Sequence, residues 1–178
     1  MYIYIIYSMQ LIIPSQKYKK SFLKGLAEFH AEGNELSYNA EKIDTDFDTF
    51  VQQIHDRIAG TNPTKKVPDT LFWLVDNNEF IGRVSLRHKL NKDLEQYGGH
   101  IGYYIRPTKR GMGYGNKALE LTLIEAQKIG LTKVLITCDE DNIGSQKIIE
   151  KNGGVLQDII YTKLNLRDTG LMRWWIKI

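Results

Sequence analysis

The segment Arg110-Gly111-Met112-Gly113-Tyr114-Gly115 constrains this chain more than any other stretch. A strand-like run, His100-Ile101-Gly102-Tyr103-Tyr104-Ile105, leads into it, and a helical pattern from about Tyr114 to Ile129 leads out. A strand that passes through a Gly-rich turn into a helix presents backbone N–H groups at the positive end of the helix dipole. Such a cradle holds phosphate without any cationic side chain. Glycine at positions 111, 113 and 115 lets the backbone approach a ligand and take positive φ where a Cβ would clash. Arg110 adds a two-pronged donor at the mouth. By itself the feature points to a diphosphate ligand and no further.

Two diphosphate designs are excluded by spacing. A P-loop needs Gly-x-x-x-x-Gly-Lys-Ser/Thr, and here Gly115 is followed by Asn116-Lys117-Ala118. A dinucleotide fold needs Gly-x-Gly-x-x-Gly after the first strand, with an acidic residue about 20 positions on. This spacing is Gly-x-Gly-x-Gly, late in the chain and after a hairpin.

The hairpin reads as Leu71–Val75, a turn at Asp76-Asn77-Asn78-Glu79, and a second strand from Phe80 to about Arg87. Upstream, Met9–Ile13 predicts a first strand. Tyr18, Phe22, Leu26 and Phe29 share one face of a helix from Gln16 to about His30. Thr45 or Asp46 caps a second helix striped by Phe47, Phe50, Val51, Ile54 and Ile58. Residues 60–68 and 89–99 read as loops. Downstream come a buried strand at Lys133–Cys138, a short helix at Ile143–Lys151 and closing strands near Val155–Lys163 and Leu171–Ile178. The order β-α-α-β-β-β-α-β-α-β-β predicts one mixed α/β domain over residues 1–178. Residues 1–8 are expected to be a strand extension or a start-site artefact.

A net charge of +3, with scattered basic residues, argues against a nucleic-acid partner. The apolar start, Met1–Tyr7, is far shorter than the roughly 20 residues of a membrane span and lacks a signal peptide's flanks, so no membrane is expected. One cysteine, Cys138, rules out an internal disulfide and fits a reducing cytoplasm. No His/Asp/Glu cluster has metal spacing.

The stretch from His100 to Gly115 resembles the cofactor motif of the GNAT superfamily of N-acetyltransferases, Arg/Gln-x-x-Gly-x-Gly/Ala after a strand ending in an apolar residue and x-Pro. Thr137 to Gly153, with Asn142, Ser145 and Glu150-Lys151-Asn152-Gly153, is similar to its next motif. The resemblance is strong over residues 71–157. It implies the GNAT fold, a mostly antiparallel central sheet flanked by helices, and acetyl-coenzyme A as cosubstrate with an amine as acceptor. By position it implies that Ile105 bonds the pantetheine arm and that Arg110, Gly111, Met112, Gly113, Tyr114 and Gly115 hold the pyrophosphate. Asn142 and Ser145 are implied as further cofactor contacts.

Acetyl transfer to an amine needs a proton acceptor for the amine and a donor for the departing thiolate. His100 is the leading base candidate, because a Glu often precedes a similar Ile-Gly-Tyr pattern in the branch that acetylates protein N-termini; the alternative is a hydrogen-bonded histidine at a strand end. His88 is a weaker candidate, and His30 and His55 lie on the early helices. Many members carry a Tyr where this chain has Ile149. Tyr103 or Tyr104 is the substitute donor, weighed against simple packing. Cys138 reads as a buried hydrophobe rather than a nucleophile. Trp174-Trp175 splits across the two faces of its strand, as core packing or as a subunit contact, which leaves a homodimer open. The acceptor cleft falls to residues 16–58 and 89–99, where Glu28, Glu32, Glu35 and Asp44 stand either to attract a cationic amine or as a solvated face. The rival to an enzyme is a catalytically silent acyl-coenzyme A sensor, favoured by Ile149.

Overall fold

The computed structural model describes residues 9–60, 67–161 and 169–178. The expectations for residues 1–8, for most of the 60–68 loop and for the far end of the penultimate strand lie outside them.

Among the described residues, seven strands form two sheets. Strands β1 (Gln10–Ile12), β2 (Asp69–Asp76), β3 (Glu79–Arg87) and β4 (Ile101–Ile105) pair antiparallel in that order. Strands β5 (Lys133–Asp139), β6 (Val155–Ile160) and β7 (Leu171–Lys177) form the second sheet in the order β5-β7-β6. The single central sheet expected from the sequence is therefore divided, with β4 and β5 as facing edges.

Among the described residues, five α-helices cover the sheets: α1 (Lys19–Ala31), α2 (Ala40–Thr45), α3 (Phe47–Ile58), α4 (Tyr114–Lys128) and α5 (Ile143–Lys151). Asp46 does cap α3, accepting the Thr49 N–H at 3.1 Å. Helix α2 is additional; its six residues are too few for a helical period, but Asn39 caps it by accepting the Lys42 N–H at 2.8 Å.

The β2–β3 hairpin explains how one sheet serves two cores. Leu74 pairs with Gly82 and Val75 with Phe80, so Ile81 is the extra residue of a bulge. Phe80 turns to the α1–α3 side, where Phe22, Phe47 and Trp73 pack around it, with the Phe22 and Trp73 rings stacked at 4.7 Å. Ile81 turns to the α4 side. There Leu74, Val84, Ile101 and Ile105 meet Ala118 and Leu119 of α4, and the cluster continues to Val134, Ile136, Trp174 and Ile149 beyond the gap between sheets. This shared apolar core holds β4 and β5 in place where strand pairing does not. Trp174 faces inward and Trp175 lies outward over His100 and Lys133.

Candidate functional site

The turn between β4 and α4 is tied down by charge. Arg106 is 1% exposed. Its Nη1 donates to Glu79 and to the Phe80 carbonyl, both at 2.8 Å, and its Nε and Nη2 grip Glu28 at 3.2 and 2.5 Å. Thr108 donates its hydroxyl to the same Glu28 at 2.8 Å. The Arg106 hydrogen bonds hold the Glu28 carboxyl down at about 2. Lys109 pairs with Glu79 at 2.6 Å, Arg110 with Glu32 at 2.8 Å, and the Tyr114 hydroxyl donates to Asp76 at 2.9 Å. The loop is thus pinned from α1 on one side and from the β2–β3 hairpin on the other.

Because carboxylates engage these basic side chains, the anion-binding capacity of the loop lies in its backbone. Gly111 and Gly113 take φ of 73° and 84°, with open space where a Cβ would stand. Met112 projects between them, 63% exposed. Helix α4 has no side-chain cap, and its first intrahelical bond runs from Lys117 N–H to the Gly113 carbonyl at 3.1 Å. The N–H groups of Tyr114, Gly115 and Asn116 consequently point out of the helix end without intrahelical acceptors. These residues fit a diphosphate.

Two expectations change here. Gly115 does not take positive φ; a Cβ there would lie 2.6 Å from the Ile148 Cδ1, so this glycine serves the contact of α4 with α5. Arg110 is not a free donor either. Its Nε already bonds the Ile105 carbonyl at 3.1 Å while Nη1 holds Glu32.

The second element is the gap between β4 and β5. The strands touch at one rung: His100 N–H donates to the Leu135 carbonyl at 2.7 Å, and Leu135 N–H donates back to His100 Nδ1 at 2.9 Å. Beyond it they diverge into separate sheets. Across the opening, the Tyr103 hydroxyl meets the Ser145 hydroxyl at 2.7 Å. Asn142 caps α5 by accepting the Ser145 N–H at 3.0 Å, which aims Ser145 at the gap. Burial pushes Tyr103 up to about 12, against the pull of the Ser145 hydrogen bond. Burial likewise raises the Cys138 thiol, and Ile149 is 0% exposed in the core.

This geometry corrects the expectation for His100. The ring is buried, and its Nδ1 lone pair is already occupied by a backbone N–H, so the neutral ring carries its proton on Nε2. Burial, with Arg87 and Lys133 nearby, pushes it down to about 4. A ring with no free lone pair is not poised to take a proton from an amine. His100 instead imitates a peptide carbonyl and closes the last rung before the sheets part. His30, His55 and His88 are anchored on the Glu35 carbonyl, the Pro14 carbonyl and Thr70, respectively.

The acidic residues of the early helices are also spoken for. Glu28 pairs with Arg106, Glu32 with Arg110, Glu35 with Arg83 at 2.6 Å and Asp44 with Lys19 at 2.9 Å. They do not form an open trap for a cation. The sequence reading missed Arg106 and the arginines of β3. Their signal was present: Arg83-x-Ser85-x-Arg87 puts polar residues at period 2 within an apolar strand. Among the described residues, no group of three or more His, Cys, Asp or Glu could hold a metal ion, and no helix is long and apolar enough to cross a membrane.

Residues 26–155 match the model of the acetyltransferase (GNAT) domain family. An uncharacterised N-acetyltransferase, YjdG of Bacillus subtilis (strain 168), is 27% identical over 130 residues, covering 71% of this chain and 76% of the relative. Among solved structures, the microcin C7 self-immunity acetyltransferase MccE, in complex with acetyl-coenzyme A and AMP, superposes with a TM-score of 0.70 at 16% identity, covering 96% of this chain and 93% of that one. An acetyltransferase from Salmonella typhimurium that modifies the N-terminal serine of ribosomal protein L7/L12 gives 0.69 at 14% identity, over 96% and 95%.

Proposed function

Since the chain belongs to the GNAT acetyltransferase family and is an acetyl-coenzyme A-dependent enzyme, we propose that it acetylates an α-amino group, on a peptide or protein N-terminus or on a small amino compound. The observation that carries this reading is the occupied Nδ1 of His100. With no histidine at the gap offering a free lone pair, the acceptor reacts from the fraction of it that is already neutral in solution. An α-amine, with a pKa of about 7.7–8.0, is neutral to roughly a tenth or more at pH 7. A lysine amine at about 10.4 is neutral to roughly four parts in ten thousand. The difference is about 200- to 400-fold in reactive species, which the greater nucleophilicity of the more basic amine narrows toward about a hundredfold. The structural likeness to an enzyme of N-terminal serine points the same way.

The donor supplies an activated acetyl thioester. Backbone N–H groups at the start of α4, with Gly111 and Gly113, hold its diphosphate in this reading, and Tyr103 and Ser145 flank the acetyl-bearing end at the β4–β5 gap. Acetyl transfer forms a C–N bond, breaks the C–S bond, leaves charge on sulfur and releases one proton from the amine nitrogen to water. A thiol ionises near 8.5, whereas Tyr103 stands at about 12, so outright proton transfer to sulfur is uphill. Tyr103 serves instead as a hydroxyl that stays protonated and donates a hydrogen bond to the developing thiolate, with Ser145 orienting it. It fills the place left by Ile149.

The test is thiol release at pH 7 from saturating acetyl-coenzyme A. One arm uses peptides with free α-amines, the other Nα-blocked peptides carrying lysine. A preference of about a hundredfold for the α-amine is expected. Equal rates would overturn the α-amine assignment. Tight acetyl-coenzyme A binding with no release from any amine would favour the silent sensor, the reading that Ile149 supports.

A further inference from the structure

Strand β3 sends Arg83, Ser85 and Arg87 to one face, away from α4. Tyr104 and Gly102 of β4 pair with the first two, and Arg87 N–H bonds the His100 carbonyl at 2.8 Å. A Cβ built on Gly102 would meet only the Ser85 hydroxyl, at 3.3 Å. This strip is a polar floor on the face of the sheet opposite α4, with Ser85 buried and Gly102 half-buried.

The two arginines beside that floor are not equivalent. Arg83 is neutralised by Glu35 at 2.6 Å and lies against the Tyr104 ring at 4.5 Å. Arg87 donates only through Nη1, to the carbonyls of Gly98 and Gly99, each at 2.9 Å. Among the described residues no carboxylate forms an ion pair with it. Among the described residues its Nε and Nη2 have no hydrogen-bond partner. The cross-strand carboxylate, Asp69, is gripped through both oxygens by Arg57. One carboxylate between two guanidiniums leaves a positive charge uncompensated, and burial pushes the Arg87 pKa down accordingly.

Nε and Nη2 form the edge of a guanidinium that takes a carboxylate in two parallel hydrogen bonds. The Arg87 backbone lies one strand repeat, about 7 Å, from the Ser85–Gly102 rung. We propose that Arg87 is an anion subsite of the acceptor cleft, and that the preferred acceptor is an α-amine carrying a carboxylate, either an acidic side chain near a peptide N-terminus or the α-carboxylate of a free amino acid. The inference rests on the α-amine reading above and adds the charge of the substrate to it.

The experiment compares acid and amide pairs in the thiol-release assay: Ser-Asp-Ala against Ser-Asn-Ala, and serine against serinamide. For one pair the wild type is expected to prefer the acid by about 10- to 100-fold in kcat/KM, the worth of a charge-assisted hydrogen-bond pair. Which pair responds tells the side-chain carboxylate from the α-carboxylate. Arg87→Gln should shrink the preference to within about twofold, and Arg87→Lys should keep part of it, while acetyl-coenzyme A affinity stays unchanged in both. Equal rates for acid and amide in the wild type, or a preference that survives Arg87→Gln, would overturn the proposal and leave the α-amine reading standing. Should no amine release thiol, acetyl transfer itself fails. Calorimetric titration of the same pairs into the coenzyme A-saturated protein then decides the subsite: acid-selective binding that Arg87→Gln abolishes supports it, and indifference overturns it. Should Arg87→Gln not fold, the wild-type acid/amide comparison and Arg87→Lys carry the decision.

Discussion

On the α4 side of the four-stranded sheet, the unpaired N–H groups and the positive-φ glycines belong to a few consecutive residues, Gly111 to Asn116. On the α1–α3 side, the polar floor is assembled from side chains far apart in sequence; Glu35 and Arg83 are separated by 48 positions. The first kind of site tolerates neutral surroundings, because dipoles at a helix end do the binding. The second places charge in half-buried positions, where each guanidinium must find an anion or remain uncompensated. Arg106 joins the two, reaching from the end of β4 to Glu28 on α1 and to Glu79 on the hairpin.

The sharpest way to break that link is Arg106→Ala. Removing a fully buried guanidinium leaves Glu28 and Glu79 facing each other without their shared counterion. A loss of about 3–5 kcal/mol is expected, or a melting temperature lower by about 10 °C. Denaturant unfolding at pH 7 measures it. The Glu28 contribution has its own pH window: held at about 2 when folded against about 4.5 otherwise, it is present above 4.5 and fades as pH falls toward 2. A cost below about 1 kcal/mol would mean that the loop is held by its backbone alone.

Tyr103→Phe comes next and removes a single hydroxyl together with its hydrogen bond to Ser145. It should lower kcat about 10- to 100-fold, the worth of a hydrogen bond to a charged group, with the acetyl-coenzyme A dissociation constant nearly unchanged. Ser145→Ala should reproduce part of that fall. Unaltered kcat in Tyr103→Phe would return the tyrosine to a packing role.

The same contrast explains what could be read from the sequence. The turn into α4 was legible because its determinants are contiguous: a strand, Gly111 and Gly113 at fixed spacing, and a helix start. Asn142 and Ser145 were placed at the start of a short helix, but the sequence did not show that Asn142 caps it by accepting the Ser145 N–H. His100 was misread because spacing cannot show that the Leu135 N–H, 35 residues away, occupies its lone pair. Glu28, Glu32, Glu35 and Asp44 looked like an acidic helix face until the fold brought Arg106, Arg110, Arg83 and Lys19 to them. Gly115 shared a motif with Gly111 and Gly113, yet its neighbour Ile148 is set by the docking of α5.

That last difference supplies a smaller test. Gly113→Ala forces an L-residue to φ of 84°, a strain of about 1–2 kcal/mol that falls on the loop. Acetyl-coenzyme A affinity should drop about tenfold. Gly115→Ala places its Cβ against the end of the flexible Ile148 side chain. Its cost should appear in stability, on the order of 1 kcal/mol, with affinity altered less than threefold. Equal losses of affinity would merge the two glycines into one role.

The smallest expected effect belongs to His100→Gln, which separates closing a rung from accepting a proton. The amide oxygen can accept the Leu135 N–H as Nδ1 does, so stability at pH 7 should change by about 1 kcal/mol or less. The pH response should change more clearly. Unfolded, the ring titrates near 6.5; folded, it is held at about 4. Between those values the unfolded chain binds a proton that the folded chain refuses, so stability is full above about 6.5 and declines as pH falls through that window. Wild type should therefore lose on the order of 1 kcal/mol more than His100→Gln between pH 7 and pH 5, a range above the one in which Glu28 titrates. Turnover should stay within about threefold, because the ring offers the amine no lone pair. A hundredfold fall in kcat with an intact rung would make His100 a base after all, and would mean that the gap rearranges when substrates enter.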